Sequence, residues 1–405
     1  MNPRILLIIC AFLCSATLPA QDAWQIRATI KPFTSGYLFL AHHYGSKQML
    51  VDSAAIDQNS TAVFKGKEKL AGGIYMIVYP KKDGWLEVIV DKEQNFAVTA
   101  DSANAINSMV VTGSKDNTLF RDYLVFSQKY GGEMNELQKQ YKSATNKADS
   151  SKLEAQLQAK AKELKAYREK FIQDNPKHLL SSIFKVFKEP SIPEEMKDQL
   201  ARNQYFRKLY WDSMDLSDDR LIRTPVLQSK YDRFFDDIVP PLPDTLIMEV
   251  DELMLRTRGN EEMKKYTLLH LTDKYVNPKF MGQDKVFVHL FTKYYIPGDA
   301  DAWLNEKYRK FIFDRGYSLM MNVIGEKAAN INMVDTAGKK KTLYEVNSPY
   351  TVVCFWDPTC SHCQVEVPKL DSLYKNKWKG KGVQLFGVMT DGGLEKWKAY
   401  IREHN

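Results

Sequence analysis

The chain has 405 residues, a formal net charge of +7 and 44% hydrophobic residues. That length allows roughly two to four domains with cores of their own. The positive charge is scattered in short runs such as Lys339-Lys340-Lys341, with no basic stripe or binding motif, which argues against nucleic acid as a partner.

Residues 1–20 read as a signal peptide. Arg4 supplies the positive start, the stretch from Ile5 to Leu18 is almost wholly apolar, and Ala20 gives a small residue before Gln21. The run is too short to span a bilayer comfortably. Cys10 follows Ile9 and Cys14 follows Leu13, so neither has the small preceding residue of a lipoprotein signal. Export then leaves Cys354, Cys360 and Cys363, too few for a disulfide scaffold. The expected location is periplasmic, with no lipid anchor and no transmembrane segment beyond the signal.

Residues 21–117 predict an antiparallel all-β sandwich or barrel. Trp24, Ile26, Ala28 and Ile30 alternate with polar neighbours, the period of a half-buried strand. Seven further runs follow: 37–44, 48–53, 61–65, 74–79, 85–91, 95–100 and 109–112. Thr34-Ser35-Gly36, Gly72-Gly73 and Asp83-Gly84 punctuate them. His42 and His43 point to opposite faces of their strand, so the pair cannot easily share a metal ion.

Residues 118–322 predict a helical region. Gly131-Gly132 marks an interruption, and Ser151-Lys152-Leu153-Glu154 a capping box. Leu153, Leu157, Ala161, Leu164 and Phe171 mark one face of a charged helix, expected to pack on its own chain. Asn175-Pro176 ends that helix. A short apolar helix follows at 179–187. The aromatic group Tyr205, Phe206, Tyr210, Trp211, Phe234 and Phe235 reads as buried core. His270 and His289 have no acid or cysteine partner visible in the sequence.

Residues 323–405 change character again. The pattern reads β-hairpin, strand, helix, strand, helix. The central strand, 350–356, is a continuous apolar run, as for the buried centre of a mixed sheet. It breaks at Asp357-Pro358-Thr359 and is followed by Cys360-Ser361-His362-Cys363. A strand that turns into a helix with C-x-x-C at the junction is a redox-dithiol pattern. The free N–H groups and partial positive charge of the helix start stabilise a thiolate. A second buried strand is expected at 383–389. The last helix, 394–403, carries Leu394, Trp397 and Ile401 on one face.

Ile324-Gly325-Glu326-Lys327-Ala328-Ala329, the Asp335-to-Lys339 turn, Phe355-Trp356 and C-x-x-C-x-x-E-x-P occur together here. On these, residues 323–405 resemble the exported TlpA/ResA-like thiol–disulfide oxidoreductases of thioredoxin-like fold. The upstream regions more loosely resemble those that precede such domains in exported multidomain bacterial proteins. The resemblance implies Cys360 as attacking cysteine and Cys363 as resolving cysteine. It places Trp356 beside the dithiol, Pro368 as a helix kink, and Glu366 as an acid near the cysteines. It implies disulfide-bearing protein substrates and a membrane-bound electron donor, with no cofactor.

There are departures. Thr359 replaces the common tryptophan, and Ser361-His362 fills the C-x-x-C. His362 favours oxidase or isomerase chemistry through its charge or hydrogen bonding, whereas Glu366 favours a reductase. Cys354 takes the place of a buried aspartate and reads as a small buried hydrophobe. No proline follows Pro368, and the chain stops at Asn405, so the domain is expected to lack its C-terminal part, including a cis-proline loop. Three rivals stand beside this reading. One is a soft-metal site at Cys360, His362 and Cys363. Another is a protein-binding module with a vestigial dithiol domain. The third is a peroxiredoxin-like peroxidase, whose T-x-x-C spacing Thr359-Cys360 does not supply.

Overall fold

The computed structural model describes residues 22–404. The signal peptide with Arg4, Cys10 and Cys14 lies outside the described residues. The chain divides into two compact units that meet at Lys310/Phe311.

The first unit begins with a sandwich of two four-stranded sheets. Its strands are β1 (Trp24–Lys31), β2 (Tyr37–Tyr44), β3 (Lys47–Ala55), β4 (Thr61–Gly66), β5 (Gly73–Val78), β6 (Trp85–Val90), β7 (Asn95–Asp101) and β8 (Val110–Thr112). One sheet runs β4-β1-β7-β8, the other β3-β2-β5-β6. Alternation builds the core. Ile26, Ala28 and Ile30 of β1 meet Leu38 and Leu40 of β2, Phe64 of β4, Val88 of β6 and Phe96 of β7. All the predicted strands form, but β1 and β7 pair in parallel, Ile26 opposite Phe96. That is a correction to the fully antiparallel expectation. Five strands separate the two, so no local turn sets their direction.

Strands β5 and β6 of the second sheet are buried on both faces. Ile74, Met76 and Ile89 point away from the sandwich core yet are at most 5% exposed. The helical turn Asp219–Arg223 lies against β2 and β5, and the helix Lys115–Ser143 lies against β6. Three polar ties reinforce this packing. Asn117 accepts from the Ile89 N–H at 2.7 Å and donates back to the Ile89 carbonyl at 2.7 Å. Arg220 reaches Asp91 at 2.5 Å while holding Asp218 at 2.7 Å. The Gly45 N–H donates to the Ile222 carbonyl, and a Cβ at Gly45 would fall 2.5 Å from Gln228 and Tyr266 side-chain oxygens.

The helices are α1 (Ala105–Ser108), α2 (Lys115–Ser143), α3 (Lys147–Asp174), α4 (Leu179–Val186), α5 (Gln199–Leu209), α6 (Leu227–Arg233), α7 (Pro243–Thr257), α8 (Glu261–Tyr275), α9 (Asp284–Leu290) and α10 (Glu306–Met320). Helix α2 runs unbroken through Gly131-Gly132, against the expected interruption. Two glycines weaken a helix by roughly 1 kcal/mol each, which the flanking turns absorb. Helix α3 starts earlier than the Ser151 capping box. Asn146 is its cap, accepting from the Asp149 N–H at 2.9 Å. It packs on its own chain as expected: Tyr167 stacks on Phe126 of α2 at 4.1 Å, and Phe171 meets Phe184 of α4 at 5.4 Å.

The predicted aromatic core holds for Tyr210, Trp211, Phe234 and Phe235, all at most 4% exposed. Trp211 contacts Tyr210, Tyr231 and Phe234 at ring distances of 4.9, 5.5 and 4.6 Å. Acid partners for the two helical histidines come from other helices: Asp232 lies 3.1 Å from His270, and Asp251 lies 2.8 Å from His289.

The second unit carries a small antiparallel hairpin, β9 (Asn332–Val334) with β10 (Lys340–Thr342). Asp335 closes its turn by accepting from the Ala337 and Lys339 N–H groups. Then come β11 (Tyr350–Trp356), α11 (Ser361–Leu373), β12 (Val383–Met389) and α12 (Leu394–His404). Strands β11 and β12 pair in parallel over their whole length. The expected burial of both strands is not met among the described residues: only Trp356 and Val388 are buried. The buried side chain of α12 is Tyr400. Trp397 is half-buried, while Leu394 and Ile401 are 47% and 40% exposed. The architecture is thus a β-sandwich, a helical middle and a C-terminal α/β unit. Among the described residues no helix is long and apolar enough to cross a membrane.

Candidate active site at the start of helix α11

Strand β11 delivers the chain to the site, and a short turn starts the helix. Asp357 accepts from both the N–H and the hydroxyl of Thr359, at 2.7 and 2.8 Å. The Cys360 N–H donates to the Asp357 carbonyl at 3.1 Å. This places Cys360 at the N-cap of α11, with extended backbone. The Gln364 N–H then donates to the Cys360 carbonyl at 3.0 Å, the first helical bond. Ser361 and His362 fill the first turn, and Cys363 completes it.

Cys360 is partly exposed. Its pKa is lowered. The Cys363 N–H is the main cause, followed by the Cys363 thiol and the His362 N–H; slight desolvation and the Asp357 charge oppose them. These are the unpaired donors of a helix start, aimed at a sulfur. His362 contributes to this lowering through its backbone N–H.

One cavity of about 450 Å³ collects most of the expected residues: Trp356, His362, Cys363 and Glu366, together with Cys354. Cys360 is not in its lining; it lies one turn before Cys363, at the helix start. Glu366 is well exposed and ion-paired with Lys369 at 2.8 Å. Pro368 sits inside α11, which continues through it, and lines a second cavity of about 320 Å³. Trp356 lines both cavities and packs on Tyr400 at 4.9 Å.

Two features go beyond the sequence reading, which took Cys354 as a small buried hydrophobe and gave Tyr400 no place in the site. Cys354 is half-buried and lines both cavities. Burial, and to a lesser degree a charge on Cys363, push its thiol pKa up. The signal was present: Cys354 and Trp356 are two apart on a strand and share a face. Tyr400 had no such signal, because only the fold brings α12 to the Trp356 ring.

The lowered pKa has a direct consequence. In the reduced protein, iodoacetamide will label Cys360 before Cys354 or Cys363 at a pH below the ordinary thiol value of about 8.5. Mass mapping of the alkylated peptides checks this, and preferential labelling of Cys363 would overturn it. Among the described residues no three His, Cys, Asp or Glu side chains converge as a metal site, the trio of Cys360, His362 and Cys363 included.

Comparison with known proteins adds three family matches. Residues 24–120 match a domain of unknown function, DUF4369, and residues 133–314 match another, DUF5106. Residues 324–405 match the AhpC/TSA family. The C-terminal part is 29% identical over 82 residues to "Thiol-disulfide oxidoreductase ResA" of Bacillus cereus, covering 20% of this chain and 47% of that protein. It is 34% identical over 68 residues to the protein of the same name from Bacillus anthracis, covering 17% and 39%. The chain spans about half the length, or less, of these curated relatives. A thioredoxin-like protein from Bacteroides caccae is a solved neighbour, with a TM-score of 0.41 and 21% identity over 53% of this chain and 78% of that one.

Proposed function

We propose, from the premise that the C-terminal unit is of the TlpA/ResA-like thioredoxin-fold family, that this chain is an exported thiol–disulfide oxidoreductase. The observation that carries the proposal is the Cys360 thiol at the α11 N-terminus, with its pKa lowered and Cys363 one turn on.

In the reductase direction the Cys360 thiolate attacks one sulfur of a substrate disulfide. The substrate S–S bond breaks, a mixed disulfide forms, and the other substrate sulfur leaves as a thiolate and takes a proton. Cys363 then loses its proton, with Glu366 as acceptor through the shared cavity, and attacks the Cys360 sulfur. The second substrate thiolate is released and Cys360–Cys363 is left oxidised. Two electrons have moved to the substrate. In an oxidising periplasm a membrane-bound donor would restore the dithiol. Substrates are disulfide-bearing exported proteins, and residues 1–20 provide the export signal.

A peroxidase of the T-x-x-C type fits the site less well. Its threonine position is Asp357 here, and the Asp357 charge raises the Cys360 pKa instead of lowering it. The test is catalysis of insulin precipitation by dithiothreitol with the full chain. Acceleration over dithiothreitol alone is expected. No acceleration, with the cysteines confirmed reduced at the start, would sink the proposal.

A further inference from the structure

The first unit holds a cavity of about 660 Å³ between α3, the residues following α4, and the end of α5, far in sequence from the dithiol. Its apolar wall includes Leu164, Ile172, Phe184 and Phe187, and Phe187 is left 45% exposed. Arg168 lies across this wall. Its guanidinium sits 4.8 Å from the Phe187 ring centre and 5.6 Å from that of Phe184. Its Nε is buried and has no hydrogen-bond partner.

The charges in the lining are unequally used. Glu189 is taken by Arg233, and Asp212 by Arg256 at 2.9 Å. Glu169 faces Lys165 at 4.0 Å. Arg168 and Lys188 remain, and among the described residues neither is in an ion pair. A half-buried guanidinium with an unused donor, stacked on aromatic rings, is an arrangement that an anion completes, and charge-assisted bonds to arginine are among the stronger ones. The neighbouring apolar wall selects an anion that carries an apolar body.

We propose that this cavity is a binding site for a carboxylate borne on an apolar body, with Arg168 and Lys188 taking the charge and Phe184 and Phe187 the body. Such a carboxylate occurs as a free aliphatic acid or as the C-terminus of an apolar peptide. The two sources share this chemistry but differ in length and in amide groups.

Titration calorimetry of the full chain with decanoate and with N-acetyl-leucyl-phenylalanine separates them. At least one is expected to saturate at one per chain. Its neutral counterpart, decanol or the peptide amide, is expected to bind at least about tenfold more weakly. Arg168→Met keeps the apolar stem and removes the charge, so it is expected to weaken binding about tenfold or more. If that variant fails to fold, Lys188→Met, at an exposed position, repeats the test with an expected loss of about threefold or more. The proposal is overturned if neither acid saturates, if the neutral analogues bind as well as the acids, or if the folded charge-removing variants bind like the parent.

Discussion

Replacing Cys360 with serine will lower disulfide reduction by on the order of a thousandfold or more, because the hydroxyl cannot ionise at neutral pH to make the attacking anion. The companion change behaves differently. Cys363→Ser keeps the nucleophile and removes the group that resolves the mixed disulfide. It will therefore accumulate a covalent adduct with the substrate, visible as a mass increase that dithiothreitol reverses. The asymmetry follows from helix geometry. Cys360 stands at the N-cap, where the Cys363 and His362 N–H groups favour its thiolate, and Cys363 comes one turn later, in the lining of the Trp356 cavity. Exchanged phenotypes, with Cys360→Ser trapping the adduct and Cys363→Ser inert, would require the roles to be reversed.

A second large effect is expected far from the dithiol. Trp211→Ala removes a side chain that is 2% exposed and packed among Tyr210, Tyr231 and Phe234. Truncating a buried aromatic costs about 3–5 kcal/mol, from lost burial plus the cavity left behind. The helical transition in urea, followed by circular dichroism on the full chain, should move by that amount. Leu242→Ala is the matched control. Leu242 is 62% exposed, so its loss should stay within about 0.5 kcal/mol. Equal shifts for the two variants would contradict the placement of Trp211.

The sandwich was legible because its strands are half-buried and separated by turn residues, so period two and punctuation agreed. The parallel β1–β7 contact was not, since direction between distant strands is a property of the whole sheet. The same limit hid the partners of His270 and His289, which arrive from other helices. Helix ends were harder than helix interiors. The Ser151 capping box falls inside α3, whose cap is Asn146, accepting from the Asp149 N–H. Gly131-Gly132 misled because glycine permits a break without requiring one. The position of Cys360 at the helix start, with His362, Cys363 and Glu366 along its first turns, was legible from the sequence. Tyr400 was not, because nothing local marks it as the partner of Trp356.

The seam between the sandwich and the helices restricts how such a chain can be recombined. Asn117 completes the hydrogen bonding of Ile89, and Arg220 neutralises Asp91 from over a hundred positions away. A crossover anywhere between those partners hands one parent's strand a foreign helix, and the donor or the charge left behind loses its partner in a largely buried interface. Exchange of the sandwich alone is therefore disfavoured, and the β and helical segments should be inherited as a block. A crossover near the unit boundary at Lys310/Phe311 splits neither tie, so the C-terminal unit is the part most readily traded between lineages.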